Sequence, residues 1–200
     1  MKKPLLSIFL LLLLQTAHGA PQILVMGDSL SAAHGMEQNA GWVSLLQRRL
    51  EKEGYPHRII NASISGETSS GGLMRLAREL DAHQPQIVII ELGGNDGLRG
   101  LPLQDLEMNL GAMITEIQDR NISALLIGMR LPPNYGPAYT RRFSEIYPAL
   151  ARRFGIPLAP FLLEGLENDF TFFQTDGIHP NVSAQPKMLD NVWPHLRELL

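Results

Sequence analysis

Residues 23–31 read Ile23-Leu24-Val25-Met26-Gly27-Asp28-Ser29-Leu30-Ser31. Consecutive apolar side chains cannot alternate between a core and a solvent face, so 22–26 suits a strand buried on both sides, as in a parallel sheet. The run breaks at Gly27-Asp28-Ser29, a turn that leaves a serine just beyond the strand's carboxyl end. Short apolar runs recur at 58–61, 87–91, 124–128 and, more weakly, 156–159. The stretches between them, 41–53, 70–83, 102–120 and 137–154, repeat apolar residues at helical spacing, and Trp42, Leu45, Leu46 and Leu50 mark one such face. A last helix is expected over 185–200. Alternating strands and helices imply right-handed crossovers with helices on both faces of one sheet. There is no internal repeat, low-complexity tract or linker, so one α/β domain is the economical reading.

The first nineteen residues stand apart from that domain. Lys2 and Lys3 precede a mostly apolar 5–14, and the small-residue stretch Ala17-His18-Gly19-Ala20 follows, the layout of a secretory signal peptide. The apolar part falls short of the roughly 20 residues that a membrane-spanning helix needs. Cleavage after Gly19 leaves small residues at both recognition positions, whereas cleavage after Ala20 puts Pro21 beside the cut. The mature domain is therefore expected to span 20–200, in the periplasm or outside a bacterial cell. Without Lys2 and Lys3 it carries 15 basic and 20 acidic residues, a formal net charge of −5. That balance offers no basic face for nucleic acid. Cysteine is absent, so an exported chain of this kind must be held by packing, and thiolate metal sites and lipid attachment through an N-terminal cysteine are excluded. No long apolar seam is visible, and a monomer without a stable membrane span is expected.

Parallel α/β sheets bind ligands beyond the carboxyl ends of their strands. Ser29, Gly66 and Asn95 follow the first three strands and therefore share one sheet edge. Asp176-Gly177-Ile178-His179-Pro180 lies after the fifth strand, in a segment long enough to return there. A serine hydroxyl becomes a useful nucleophile only when a base takes its proton, and imidazole suits that task near neutral pH. His179 is the candidate base. Asp176, one turn earlier, can fix the ring's tautomer and stabilise the imidazolium. An isolated Asp-x-x-His is common in surface turns; its weight here comes from Ser29 at the other end of the chain. Donors for an oxyanion are the backbone N–H of Ser29, the N–H of Gly66, where no side chain blocks close approach, and the side-chain amide of Asn95 in Gly93-Gly94-Asn95-Asp96-Gly97.

Taken together, these four segments resemble the four main blocks of the GDSL or SGNH hydrolases, whose Ser, Gly, Asn and His match Ser29, Gly66, Asn95 and His179. The resemblance covers nearly the whole mature chain. Within the family, 25–31, 61–69, 91–100 and 131–136 are most similar to the periplasmic acyl-thioesterase, arylesterase and lysophospholipase group of Gram-negative bacteria. It implies a three-layer α/β/α sandwich, flavodoxin-like, with a five-stranded parallel sheet, and an acid two intervening residues before the histidine, as Asp176 is. It also implies an acyl groove lined by Leu30, Met129, Leu131 and Pro132, with Arg130 in the same segment, and requires no cofactor or metal. One departure is Glu67, where the group usually carries Asp. A Gly-x-Ser-x-Gly elbow is missing around Ser29, because Ser31 occupies the second glycine position, which argues against an ordinary α/β-hydrolase.

The expected activity is hydrolysis of fatty acyl esters and thioesters, arylesters and lysophospholipids among them, by a covalent acyl-enzyme. A carbohydrate or cell-wall O-deacetylase on the same residues is the rival within enzymes. A non-catalytic flavodoxin-like binding module is the rival outside them. Asp28 reads as a structural residue of the nucleophile turn, and Asp96 as a loop cap. His34, His57 and His83 lack metal-type spacing and read as ordinary surface or core histidines. Gly97 and Gly100 bracket a loop expected to move over the acyl chain.

Overall fold

The computed structural model describes residues 19–200; the expected signal segment lies outside the described residues except for Gly19. Five strands, β1 (Gln22–Gly27), β2 (Arg58–Asn61), β3 (Ile87–Glu91), β4 (Ser123–Ile127) and β5 (Leu158–Ala159), alternate with α1 (Trp42–Glu53), α2 (Ser69–His83), α3 (Gly94–Leu98), α4 (Leu103–Asp119) and α5 (Pro137–Phe154), and α6 (Gln185–Leu196) closes the chain. The sheet order is β2-β1-β3-β4-β5, with every neighbouring pair parallel.

The apolar runs divide by parity, as strands buried on both faces must. Ile23 and Val25 of β1, Ile87 and Ile89 of β3, and Leu125 and Ile127 of β4 pack under α1 and α6 with Trp42, Leu46, Val192 and Trp193. Leu24, Met26, Val88, Ile90, Ala124 and Leu126 pack on the opposite face against α2, α4 and α5. Each fully buried aliphatic side chain contributes about 1.5–3 kcal/mol, so these two layers dominate stability in a chain with no disulfide. β2, at the sheet edge, is only partly buried.

Element boundaries shift slightly from the sequence reading. Gly41 precedes α1 as its N-cap, and α6 gives way to a 3-10 turn over Arg197–Leu199. β5 shrinks to two residues because Pro157 lacks an N–H; its carbonyl still accepts from the Leu126 N–H at 3.2 Å, which a proline at a sheet edge can do. The short helix α3 is an addition to the expected elements.

The chain runs from β1 outward to β2 and returns on the other side of β1 to form β3. Their connecting helices take opposite faces, α1 with α6 and α2 with α4 and α5. The loops leaving β1 and β3 therefore turn toward opposite faces at this switch point, the place where open α/β sheets bind ligands.

Candidate active site

Ser29 lies two residues past the end of β1, in a turn that closes through the Ser31 and Ala32 N–H groups donating to the Asp28 carbonyl at 3.2 and 2.9 Å. His179 arrives from the far end of the chain on a hairpin. Phe173 bridges Pro180 in antiparallel fashion, the Gln174 N–H donates to the His179 carbonyl at 2.8 Å, and the Asn181 N–H donates to the Phe172 carbonyl at 2.8 Å. The Gln174 amide then donates to the carbonyls of His34 (2.8 Å) and Pro180 (3.1 Å), tying the hairpin to the nucleophile turn.

The result is a relay of side chains. His179 Nε2 stands 3.0 Å from Ser29 Oγ, and Nδ1 stands 2.7 Å from Asp176 Oδ2. With Nδ1–H donated to the carboxylate, Nε2 is left to accept the Ser29 hydroxyl. The other oxygen of Asp176 accepts the backbone N–H groups of Ile178 and His179, both at 2.9 Å. The His179 backbone donor, the imidazole and the Ile178 N–H hold the Asp176 carboxyl well below the usual carboxylate range.

The three groups expected from the sequence to donate to an oxyanion lie in the turns after β1 and β2 and in α3. Among the described residues, neither the Ser29 N–H nor the Gly66 N–H donates to a protein acceptor. Gly66 takes φ +80°, a conformation that favours glycine. Its loop is fastened on three sides: Ile64 N–H donates to the Gly27 carbonyl (3.0 Å), Arg99 Nη2 donates to the Gly66 carbonyl (2.8 Å), and Glu67 pairs with the largely buried Arg75 at 2.6 Å. Asn95 sits in α3, where its amide donates to Asp28 Oδ2 at 3.0 Å, leaving the second amide hydrogen available. Asp96 accepts the Ser69 N–H (2.8 Å) and hydroxyl (2.6 Å), pinning α3 to the start of α2.

Asp28 is 2% exposed and accepts the Leu30 N–H at 3.0 Å as well as the Asn95 amide. Burial pushes its carboxyl up to about 6, against the pull of the Leu30 N–H, the nearby His179 and the Asn95 amide. It takes no part in the Ser29–His179–Asp176 relay.

The residues expected to line an acyl groove differ in exposure. Met129 and Leu131 are buried, 5% and 9% exposed, in the core layer under α4 and α5. Leu30 is half-buried, and Arg130 and Pro132 reach the surface. Arg130 pairs with Glu164 (2.8 Å) and lies over the Phe161 ring. Gly97 lies inside α3, where an added Cβ would come within 2.7 Å of Leu131 and Phe143, so its lack of a side chain serves packing. Leu98 and Leu101 on either side of Gly100 accept the hydroxyls of Tyr135 (3.0 Å) and Tyr139 (3.3 Å), which fastens the loop.

Sequence reasoning passed over two residues here. Glu91, the last residue of β3, is fully buried beneath the nucleophile turn. Its signal was a carboxyl ending an apolar run, Ile87-Val88-Ile89-Ile90-Glu91, that is buried on both faces. His34 is a surface histidine, as expected, but its ring centroid lies 4.3 Å from that of His179, tilted by 37°. No spacing in the sequence signals that contact. His57 and His83 stay away from the relay, and among the described residues no cluster of three or more His, Cys, Asp or Glu side chains is arranged to hold a metal ion.

A match to the GDSL-like Lipase/Acylhydrolase family runs from residue 25 to residue 185, across all the segments just described. The chain belongs to that family. It is 50% identical to Esterase TesA of Pseudomonas aeruginosa over 201 residues, covering 100% of both chains. It is 44% identical to Thioesterase 1/protease 1/lysophospholipase L1 of Escherichia coli K12, covering 96% of this chain and 91% of that one. A crystal structure of TesA superposes with a TM-score of 0.88 at 51% identity, covering 90% of this chain and 99% of that one. The chain is thus a hydrolase with the SGNH fold, and the fold class and enzyme class expected from the sequence hold.

Proposed function

We propose that this chain is an exported serine esterase cleaving fatty acyl esters and thioesters, arylesters and lysophospholipids among them, through a covalent acyl-enzyme. The observation that carries the assignment of roles is the unbroken relay from Ser29 Oγ through His179 to Asp176, at 3.0 and 2.7 Å, beside the unengaged N–H groups of Ser29 and Gly66. His179 takes the Ser29 proton as the oxygen attacks the acyl carbon. Asp176 holds the ring with Nε2 toward the serine and balances the imidazolium. The Ser29 and Gly66 N–H groups and the Asn95 amide receive the oxyanion. As the tetrahedral adduct collapses, His179 protonates the departing alcohol or thiol. It then activates water to release the acid from Ser29, and the proton returns to the serine.

Names of relatives support the substrate classes: esterase in one, thioesterase and lysophospholipase in another. Leu30, Met129, Arg130, Leu131 and Pro132 are the residues proposed to meet the acyl chain. Of these, Leu30 is half-buried and Arg130 and Pro132 are exposed, which leaves them accessible to a bound chain. Export rests on the residue pattern of 1–19, with 20–200 as the mature domain in the periplasm or outside the cell.

The test is the initial rate of the 20–200 chain on p-nitrophenyl esters from acetyl to palmitoyl, with Ser29→Ala as control. Serine-dependent turnover of medium or long chains is the expected result. Activity confined to acetyl esters would replace this reading with a deacetylase, and wild-type rates in Ser29→Ala would overturn it.

A further inference from the structure

The nucleophile turn rests on a carboxyl that the reaction above does not use. Glu91 ends β3 in register with Gly27 of β1 and is 0% exposed. The approach is close: a Cβ on Gly27 would stand 2.7 Å from Glu91 Oε2. That oxygen accepts two hydrogen bonds, from the Ser31 hydroxyl at 2.6 Å and from the Asp28 N–H at 3.2 Å. Asp28 and Ser31 flank Ser29 and Leu30, so a single oxygen clamps both ends of the turn that presents the nucleophile. The second oxygen, Oε1, is buried and has no partner among the described residues.

We propose that Glu91 is a positioning residue that works as an uncharged carboxylic acid, fixing the nucleophile turn from below while adding no negative charge beneath the oxyanion. This rests on the serine-esterase reading for its functional half, but not for its claim about charge. Asp28 is the neighbouring acid, and Tyr147, whose hydroxyl donates to the Leu92 carbonyl at 3.0 Å, is the other titratable group that interacts with it. Among the described residues, no cation acts on Glu91. Two buried acids side by side without a cation cannot both ionise. Asp28 is the better site for the one charge, because it accepts the Leu30 N–H and the Asn95 amide and also feels the nearby His179. Glu91 has complete burial and a bare Oε1, which is tolerable as an O–H but far costlier as an anionic oxygen. Burial and the Asp28 carboxyl push Glu91 well above the usual carboxylate range in keeping with this.

Neutrality matters to the reaction. The transition state places negative charge in a pocket whose donors come from Ser29, Gly66 and Asn95, and a second buried anion under Ser29 would oppose it. As an acid, Glu91 keeps the acceptor that the turn needs without that repulsion.

Infrared difference spectra of wild type against Glu91→Gln, recorded at pH 8 on the 20–200 chain, test the charge directly. A protonated-carboxyl C=O band that disappears in Glu91→Gln is expected; a difference confined to carboxylate bands would overturn the proposal. Kinetics test the clamp. Glu91→Leu, which loses the acceptor, is expected to lower kcat about tenfold or more with KM changed less than about twofold. Glu91→Gln, which keeps an uncharged acceptor oxygen, recovers most of that loss. Wild-type kcat in Glu91→Leu, or a Gln variant as impaired as the Leu variant, would contradict it. If Glu91→Leu does not fold, the Gln variant and the infrared band still decide. Activity surviving Ser29→Ala would sink the esterase mechanism and leave the infrared result standing.

Discussion

The two halves of the proposed active site are held in opposite ways. The nucleophile half is built into the core: Asp28, Ser31 and Glu91 are 2%, 1% and 0% exposed, and they interlock at the ends of two central strands. The base half is a hairpin at the surface, where the Asp176 side chain is 42% exposed and Ile178 53% exposed. Buried polar groups are costly unless satisfied, so the first half is fixed by the fold and cannot be altered without affecting stability. The hairpin is fixed by its own short-range hydrogen bonds, Asp176 to the Ile178 and His179 N–H groups above all, so its chemistry is separable from stability. The proposed base, His179, thus sits on a locally braced turn outside the core.

The largest effect that would break this comparison lies on the hairpin. Asp176→Asn keeps an oxygen to accept the two backbone N–H groups, so the turn survives, but it presents an amide N–H to His179 Nδ1 and forces the wrong tautomer. The kcat is expected to fall by about 10³-fold or more, with the melting temperature within about 2 °C of wild type. A large loss of thermal stability would show that the hairpin is coupled to the core after all.

Asp28→Asn sharpens the other side, since there activity and stability should move together. The Leu30 N–H and the Asn95 amide reach different oxygens of Asp28, Oδ1 and Oδ2, and an amide nitrogen in place of either one no longer accepts, so the turn or the proposed oxyanion donor Asn95 loosens and kcat is expected to fall about tenfold to a hundredfold. The pH dependence has a definite sign. Asp28 is pushed up to about 6 in the fold from an ordinary 3.8, so the folded state holds the proton more tightly than the unfolded chain. Wild-type stability from this group is therefore greatest below about pH 4, is lost as pH rises toward 6, and stays lost above it. Denaturant titrations at pH 4 and pH 8 should show the Asn variant gaining roughly 2–3 kcal/mol on wild type between them. A constant difference would mean that Asp28 does not titrate as a buried acid.

The smallest effect concerns His34, which touches His179 from the rim. Replacing it with alanine removes an aromatic contact at 4.3 Å, and kcat is expected to drop about two- to tenfold, the range such ring pairs are worth. Phenylalanine keeps the ring and should restore most of the rate. Equal losses in both variants would assign the effect to the imidazole itself instead of its packing.

Much of this was legible in the sequence for a physical reason. Strands buried on both faces leave unbroken apolar runs, and the strand-end rule then puts Ser29, Gly66 and Asn95 on one edge without any knowledge of tertiary contacts. The Asp176-x-x-His179 spacing fits a single turn, so its internal hydrogen bonds were readable too. Contacts made across the sheet edge were not. Nothing in the sequence aligns Glu91 with Gly27 until the β1–β3 register is known, and His34 reaches His179 only because the hairpin folds back over the nucleophile turn. Met129 and Leu131 are apolar whether they line a groove or fill a core, and composition alone does not separate the two. α3 is not legible because Gly94-Asn95-Asp96-Gly97 is turn-like in composition, and the contact that anchors it, Asp96 with Ser69, is made across the chain.

The central claim is that Ser29 is the nucleophile activated by His179. Its most direct test is to treat the 20–200 chain with a fluorophosphonate, which modifies only an activated serine, and to locate the adduct by peptide mass spectrometry in wild type and in His179→Ala. The account predicts one adduct, on Ser29, that forms far more slowly without His179. Modification of another serine, or labelling of Ser29 at an unchanged rate in His179→Ala, would contradict it.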